Sequence, residues 1–227
     1  MNFVQQYKEI SVYRKKIDII TNNIHYPIAT ILCVIISPTS ITPNMITFIG
    51  VIFELFSVWF IYTDLAKYSV IIVILLQFGW ICDLMDGMLA RYKKLGYYNR
   101  NHQSLKGYYW DSVSDHILRL LVLTFLGLHL VQQNEYGVYF AFAGISIHAI
   151  TQIEHVLRDY ILKGIKISVP VDNNRIVDQI ILLSNNIYIY YFIFILINRI
   201  DLLFIVLPII QFILLVKRLI QFSFSKY

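Results

Sequence analysis

Residues 68–92 read YSVIIVILLQFGWICDLMDGMLARY, and residues 107–130 read GYYWDSVSDHILRLLVLTFLGLHL. Each is long and apolar enough to cross a bilayer, which takes about 20 mostly apolar helical residues. Yet the first carries Asp83 and Asp86 near its end, and the second carries Asp111 and Asp115 near its start. In a pair of antiparallel spans these positions fall at one membrane depth. A charged side chain deep in a span costs about 3 kcal/mol, so such residues usually mark a site.

The rest of the sequence extends this membrane pattern. Among 227 residues, 58% are apolar and 15% charged, where a soluble domain carries about 25% charged. Six spans are predicted, at about 44–62, 69–91, 106–131, 137–158, 176–197 and 201–222. The earlier run, residues 24–37, is too short to span and contains Pro27. It reads as an amphipathic helix lying on the membrane, within a surface segment of about residues 1–40. Pro38, Pro43, Asn134 and Pro170 punctuate the boundaries. The fold class is therefore all-α, a six-span bundle in one domain over residues 1–227. The polar start of the sequence lacks the apolar core of a cleavable signal peptide. Cys33 and Cys82 both fall in apolar runs and suggest neither a disulfide framework nor a zinc site.

The net charge of +5 raises the question of nucleic acid, but the basic residues are distributed as topology signals. Sixteen Lys and Arg fall on one side of the predicted spans, and Lys67 and Arg199 on the other. Arg119 lies inside the third span. This asymmetry places both termini in the cytoplasm and removes the case for a nucleic-acid partner.

Spacing brings the carboxylates together. Asp83 and Asp86 are three apart and share a helix face, which Gly87 and Ala90 extend. Gly107, Asp111 and Asp115 recur every fourth residue on the next span. Four negative charges converging on one point require either raised pKa values or cations between them. Hard cations such as Mg²⁺, Mn²⁺ or Ca²⁺ prefer oxygen ligands of this kind. Two of them about 4 Å apart suit displacement at phosphorus. Gly87 and Ala90 leave room for a bulky ligand, and Arg91 can bind phosphate oxygens.

The series Asp83-x2-Asp86-Gly87-x2-Ala90-Arg91, followed by Gly107-x3-Asp111-x3-Asp115, resembles the signature of the CDP-alcohol phosphotransferases, with eight motif positions matched. Upstream, Thr42-Pro43-Asn44-Met45-Ile46-Thr47 resembles the family's usual approach to its first span. The resemblance covers about residues 40–120 by motif and the whole chain by its six-span layout. It implies a homodimer of six-span subunits. Asp83, Asp86, Asp111 and Asp115 match metal-binding aspartates, and Asp115 also matches the residue often assigned as general base. Gly87, Ala90 and Arg91, with Gly107, match positions around the CDP site, and Asn44 and Thr47 are expected to line the same pocket. The sequence departs from the family in one place: 15 residues, YKKLGYYNRNHQSLK at 92–106, separate Arg91 from Gly107, a longer spacer than is usual.

The resemblance implies a CDP-alcohol donor, a lipid or polyol acceptor, Mg²⁺ or Mn²⁺ as cofactor, and release of CMP. Phospholipid synthesis in a bacterial inner membrane is the expected setting. The head group stays open: the donor is either CDP-diacylglycerol or a CDP-linked small alcohol. His116 follows Asp115 but points about 100° away on an ideal helix, which favours packing. A second polar stripe, His148, Gln152 and His155, with Glu154 and Arg158 at i,i+4 spacing, either meets the acceptor or joins helices by hydrogen bonds. Lys163 and Lys166 can meet an anionic head group, although topology alone accounts for them. A transporter or channel is the alternative reading, because intramembrane carboxylates also mark ion pathways.

Overall fold

The computed structural model describes residues 2–15, 17–98, 106–164, 182–184 and 186–224. Lys16, Arg100, Lys166, Arg175 and Lys226 lie outside the described residues, as do residues 99–105 of the 92–106 insertion and the first part of the predicted fifth span. The described residues contain helices and turns and no strand.

Two short helices open the chain, where the sequence suggested one surface helix. The first, α1 (Phe3–Ser11), is capped by Asn2, whose side chain accepts from the Val4 amide. A π turn over Thr21–His25 leads into α2 (Tyr26–Ile36), with Pro27 in its first turn, where proline needs no amide partner. The buried face of α2, including Tyr26, Ala29, Thr30 and Cys33, packs on the next helix. Cys33 and Cys82 are both buried and free.

Thr42 starts α3 (Pro43–Tyr92) by accepting from the Met45 amide, with Pro43 at the first helical position. The sequence predicted two spans here, at about 44–62 and 69–91. Helix continues between them except at Asp64, whose backbone is extended (φ −168°, ψ 96°). The Asp64 side chain accepts from the Lys67 amide at 3.0 Å and so caps the helix that restarts after it. The two limbs, residues 43–63 and 65–92, fold back on each other. Their contact is close because glycines face it. A Cβ on Gly50 would stand 3.0 Å from that of Cys82, and one on Gly79 would stand 2.7 Å from Glu54 Cγ.

The remaining helices are α4 (Lys106–Gln133), α5 (Gly137–Gly164), α6 (Ile187–Leu196) and α7 (Ile200–Phe224). Asn134 makes the turn from α4 to α5, accepting from the Tyr136 amide through its side chain and from the Gly137 amide through its carbonyl. A Cβ on Gly137 would collide with the Leu130 carbonyl, which makes glycine the fitting residue there. Helix α4 packs on α3 and α5, and α7 packs on α5. Among the described residues, four helices are long and apolar enough to cross a membrane: Pro43–Tyr92, Tyr109–Gln133, Gly137–Arg158 and Ile200–Ile220. Helix α6 is shorter.

The core runs along the bundle axis and includes Leu76, Leu123, Leu126, Tyr191 and Phe204. The outer surface is also apolar: Trp59, Tyr62, Phe142 and Ile213 are all more than half exposed. Large exposed apolar surface is foreign to a water-soluble monomer and normal where lipid is the solvent.

Candidate active site

The restart of α3 at Asp64 sets the register of its second limb, so that Asp83 and Asp86 face α4. There Asp111 and Asp115, four residues apart, face back. Single carboxylate oxygens of Asp83, Asp111 and Asp115 all lie within 4.8 Å of one another. Asp86 stands beside them, buried, and accepts a short hydrogen bond from the Thr47 hydroxyl on the first limb of α3. Thr47 also donates toward the Pro43 carbonyl.

These groups wall a recess with about 10 Å³ of free volume, room for one water or ion. All four aspartates line it, together with Thr47, Gly50, Glu54 and Gly79. The donor set fits a divalent cation. The ligand atoms are hard oxygens, and both Asp111 Oδ1 and Glu54 Oε2 are buried without a hydrogen-bond partner among the described residues. Buried polar atoms normally have partners, so two orphans at one recess point to an occupant.

Arg119, one turn beyond Asp115, grips its Oδ2 through Nη2 at 2.8 Å. The guanidinium also lies 5.7 Å from the centroid of the Tyr188 ring, and the Arg119 carbonyl accepts from the Tyr191 hydroxyl. Arg119 therefore orients Asp115 and offsets part of the local negative charge. His116 points elsewhere, its Nδ1 beside the Ser112 carbonyl.

A second, larger cavity of about 430 Å³ adjoins the recess, sharing Thr47, Asp86 and Asp111 with it. Asn44, Gly87, Ala90, Arg91 and Gly107 line it, as do Lys15 and Tyr98. Its volume falls within the range of small-molecule sites. Gly107 lets α4 approach α3, since a Cβ there would lie 3.0 Å from Asn44 Oδ1. Arg91 donates through Nε to the Tyr13 carbonyl at 3.0 Å, and its guanidinium lies 5.9 Å from the Tyr98 ring centroid. Tyr98 brings the described part of the insertion to the cavity wall.

All ten residues singled out in the sequence, Asn44, Thr47, Asp83, Asp86, Gly87, Ala90, Arg91, Gly107, Asp111 and Asp115, line one or other of these two spaces. The second polar stripe does not. His148 is buried and pairs with Gln211 of α7 at 2.9 Å. Glu154 stands between Arg158 and Arg218, each 3.4 Å away. Among the residues that escaped the spacing argument are Lys15 and Glu54, which line these spaces, and Tyr188, which holds Glu54. Only Glu54 has a sequence signal, a carboxylate in the middle of the predicted first span. The other two depend on long-range packing.

No curated protein matches the chain. A family model described as CDP-alcohol phosphatidyltransferase matches residues 40–217, a stretch that includes every residue of both spaces except Lys15.

Proposed function

The chain belongs to the CDP-alcohol phosphatidyltransferase family, and on that premise we propose that it transfers a phosphoalcohol group from a CDP-alcohol to an acceptor hydroxyl and releases CMP. The family is a transferase class of membrane proteins, with CDP-alcohol donors and alcohol acceptors. The observation that carries the assignment to this chain is the meeting of aspartates from α3 and α4 at one recess, beside a cavity large enough for a nucleotide.

In this reading the nucleotide occupies the larger cavity. Asn44, Gly87, Ala90 and Gly107 shape its wall, and Arg91 binds phosphate oxygens through the guanidinium nitrogens that Tyr13 does not engage. Asp83, Asp86, Asp111 and Asp115 would hold Mg²⁺ or Mn²⁺, which would supply positive charge to neutralise the phosphates. The acceptor oxygen forms a bond to the phosphorus that carries the donor alcohol, and the bond from that phosphorus to the bridging oxygen of CMP breaks. Asp115, held by Arg119 through one oxygen, takes the acceptor proton.

The setting is phospholipid synthesis, with a lipid or polyol acceptor. The chain forms a single domain over residues 1–227 with six spans: the two limbs of α3, then α4, α5, a fifth that ends in α6, and α7. Both termini and the site face the cytoplasm of a bacterial inner membrane, and two subunits form a homodimer. A cytoplasmic site suits a water-soluble nucleotide while leaving lipid tails in the bilayer.

Replacing Asp111 by Asn tests the mechanism. CMP release from CDP-alcohols by the purified variant should fall by about 10²–10⁴-fold, the usual worth of a positioned acid–base or ligand group. Near-parental turnover would refute it. A panel of CDP-alcohols with diacylglycerol and polyol acceptors would identify the substrates in the same assay, and transport without CMP release would restore the channel or transporter alternative.

A further inference from the structure

Among the described residues, Glu54 is the one carboxylate at the recess that lies outside the aspartate motif. It sits on the first limb of α3, only 5% exposed. Its Oε1 accepts from the Tyr188 hydroxyl at 2.7 Å. Tyr188 is itself fixed: its ring stacks on Trp80 with centroids 5.1 Å apart, and its carbonyl accepts from Gln77 at 3.1 Å. Gly79 clears the path of the Glu54 side chain, because a Cβ there would meet Glu54 Cγ at 2.7 Å. The carboxylate is therefore held in one orientation, with Oε2 left without a partner.

With the aspartates ionised, as ion binding requires, the recess wall supplies no such partner. The Thr47 hydroxyl already donates to Asp86. Gly50, Val51, Gly79 and Leu118 present no side-chain donor, and ionised aspartates only accept. In this reading the donor is a water in the free volume, which has room for one, with the ion beside it where the recess joins the larger cavity at Asp86 and Asp111. Water bound to a divalent cation is such a donor, and its polarised O–H bonds suit a carboxylate.

We propose that Glu54 is a positioning residue for the cation site: Oε2 accepts a hydrogen bond from a water ligand of the divalent ion held by the aspartates, and Tyr188 fixes Glu54 for that task. This rests on the metal-dependent reading above. Outer partners of this kind typically change metal affinity by about 10–100-fold when removed.

The test is Mn²⁺ binding to purified full-length protein, followed by the electron paramagnetic resonance signal of free Mn²⁺, with thermal melting of the metal-free protein alongside. E54Q keeps the size of the side chain and its contact with Tyr188 but presents an amide to the recess. Its Mn²⁺ dissociation constant should rise about tenfold with the metal-free melting midpoint unchanged, and turnover should recover as Mn²⁺ is raised. Y188F should show a smaller rise, and it carries the test if E54Q does not fold. Parental Mn²⁺ affinity in E54Q, or in Y188F where that variant stands in, would overturn the proposal while leaving the aspartate site intact. Failure of the parent protein to bind Mn²⁺ would overturn both this proposal and the metal-dependent mechanism.

Discussion

Arg91 divides its donors. Nε is committed to the Tyr13 carbonyl, and the rest of the guanidinium faces the larger cavity between Gly87 and Tyr98. Lysine has one nitrogen and cannot fill both roles. Arg91→Lys should raise the KM for the CDP-alcohol by about 10–100-fold, the equivalent of one charge-assisted hydrogen bond of about 1.5–3 kcal/mol, with a smaller effect on kcat. Steady-state kinetics over a range of donor concentrations checks this, and an unchanged KM would remove Arg91 from the phosphate site. At this scale the sequence was informative where residues act through periodicity. Asp83 and Asp86, and then Asp111 and Asp115, lie on single helix faces, so their convergence could be read from spacing. Tyr188 could not, because it reaches Glu54 across 134 residues of chain, and no local pattern encodes such a contact.

The elements show the same division. Lengths and boundaries of α4 and α7 follow from hydropathy, and the α4–α5 turn follows from Asn134. Residues 63–68 fall between two predicted spans, yet only Asp64 leaves the helical conformation. The reason is that its side chain caps the restarting helix, so a single extended residue suffices to reverse the chain. The close fit of the two limbs depends on Gly79. Gly79→Ala would press a methyl group against Glu54 Cγ, and overpacking of this kind costs about 1–3 kcal/mol. A lower melting midpoint, together with weakened Mn²⁺ binding, is the expected result. Unaltered values for both would show that the limbs can separate without consequence for the site.

On the scale of the molecule, the topology proposed from the apolar outer surface and the asymmetry of basic residues makes one demand: the bend at Asp64 and the amino-terminal helices lie on opposite sides of the membrane. Lys67 and Lys8 are both exposed, and Cys33 and Cys82 are buried, so single introduced cysteines can be labelled with little background. A membrane-impermeant maleimide applied to intact cells should label Lys67→Cys, and Lys8→Cys only after the membrane is opened. Labelling of both from the same side would overturn the proposed topology. Of the predicted fifth span, 176–197, residues 176–181 and 185 lie outside the described residues, and α6 is shorter than the helices that can cross.

Just past Asp83 and Asp86, the end of α3 is tied to the leading part of the chain. Lys93 donates to the carbonyls of Thr39 and Ile41, while Arg91 reaches that of Tyr13. Every acceptor in these ties is a main-chain oxygen, which any amino acid at positions 13, 39 or 41 would provide. The ties that hold the wall against which the nucleotide is proposed to rest are therefore independent of those three side chains, whose own contacts, the Tyr13 ring on Tyr92 and the Thr39 hydroxyl on the Ile41 amide, serve the local packing instead.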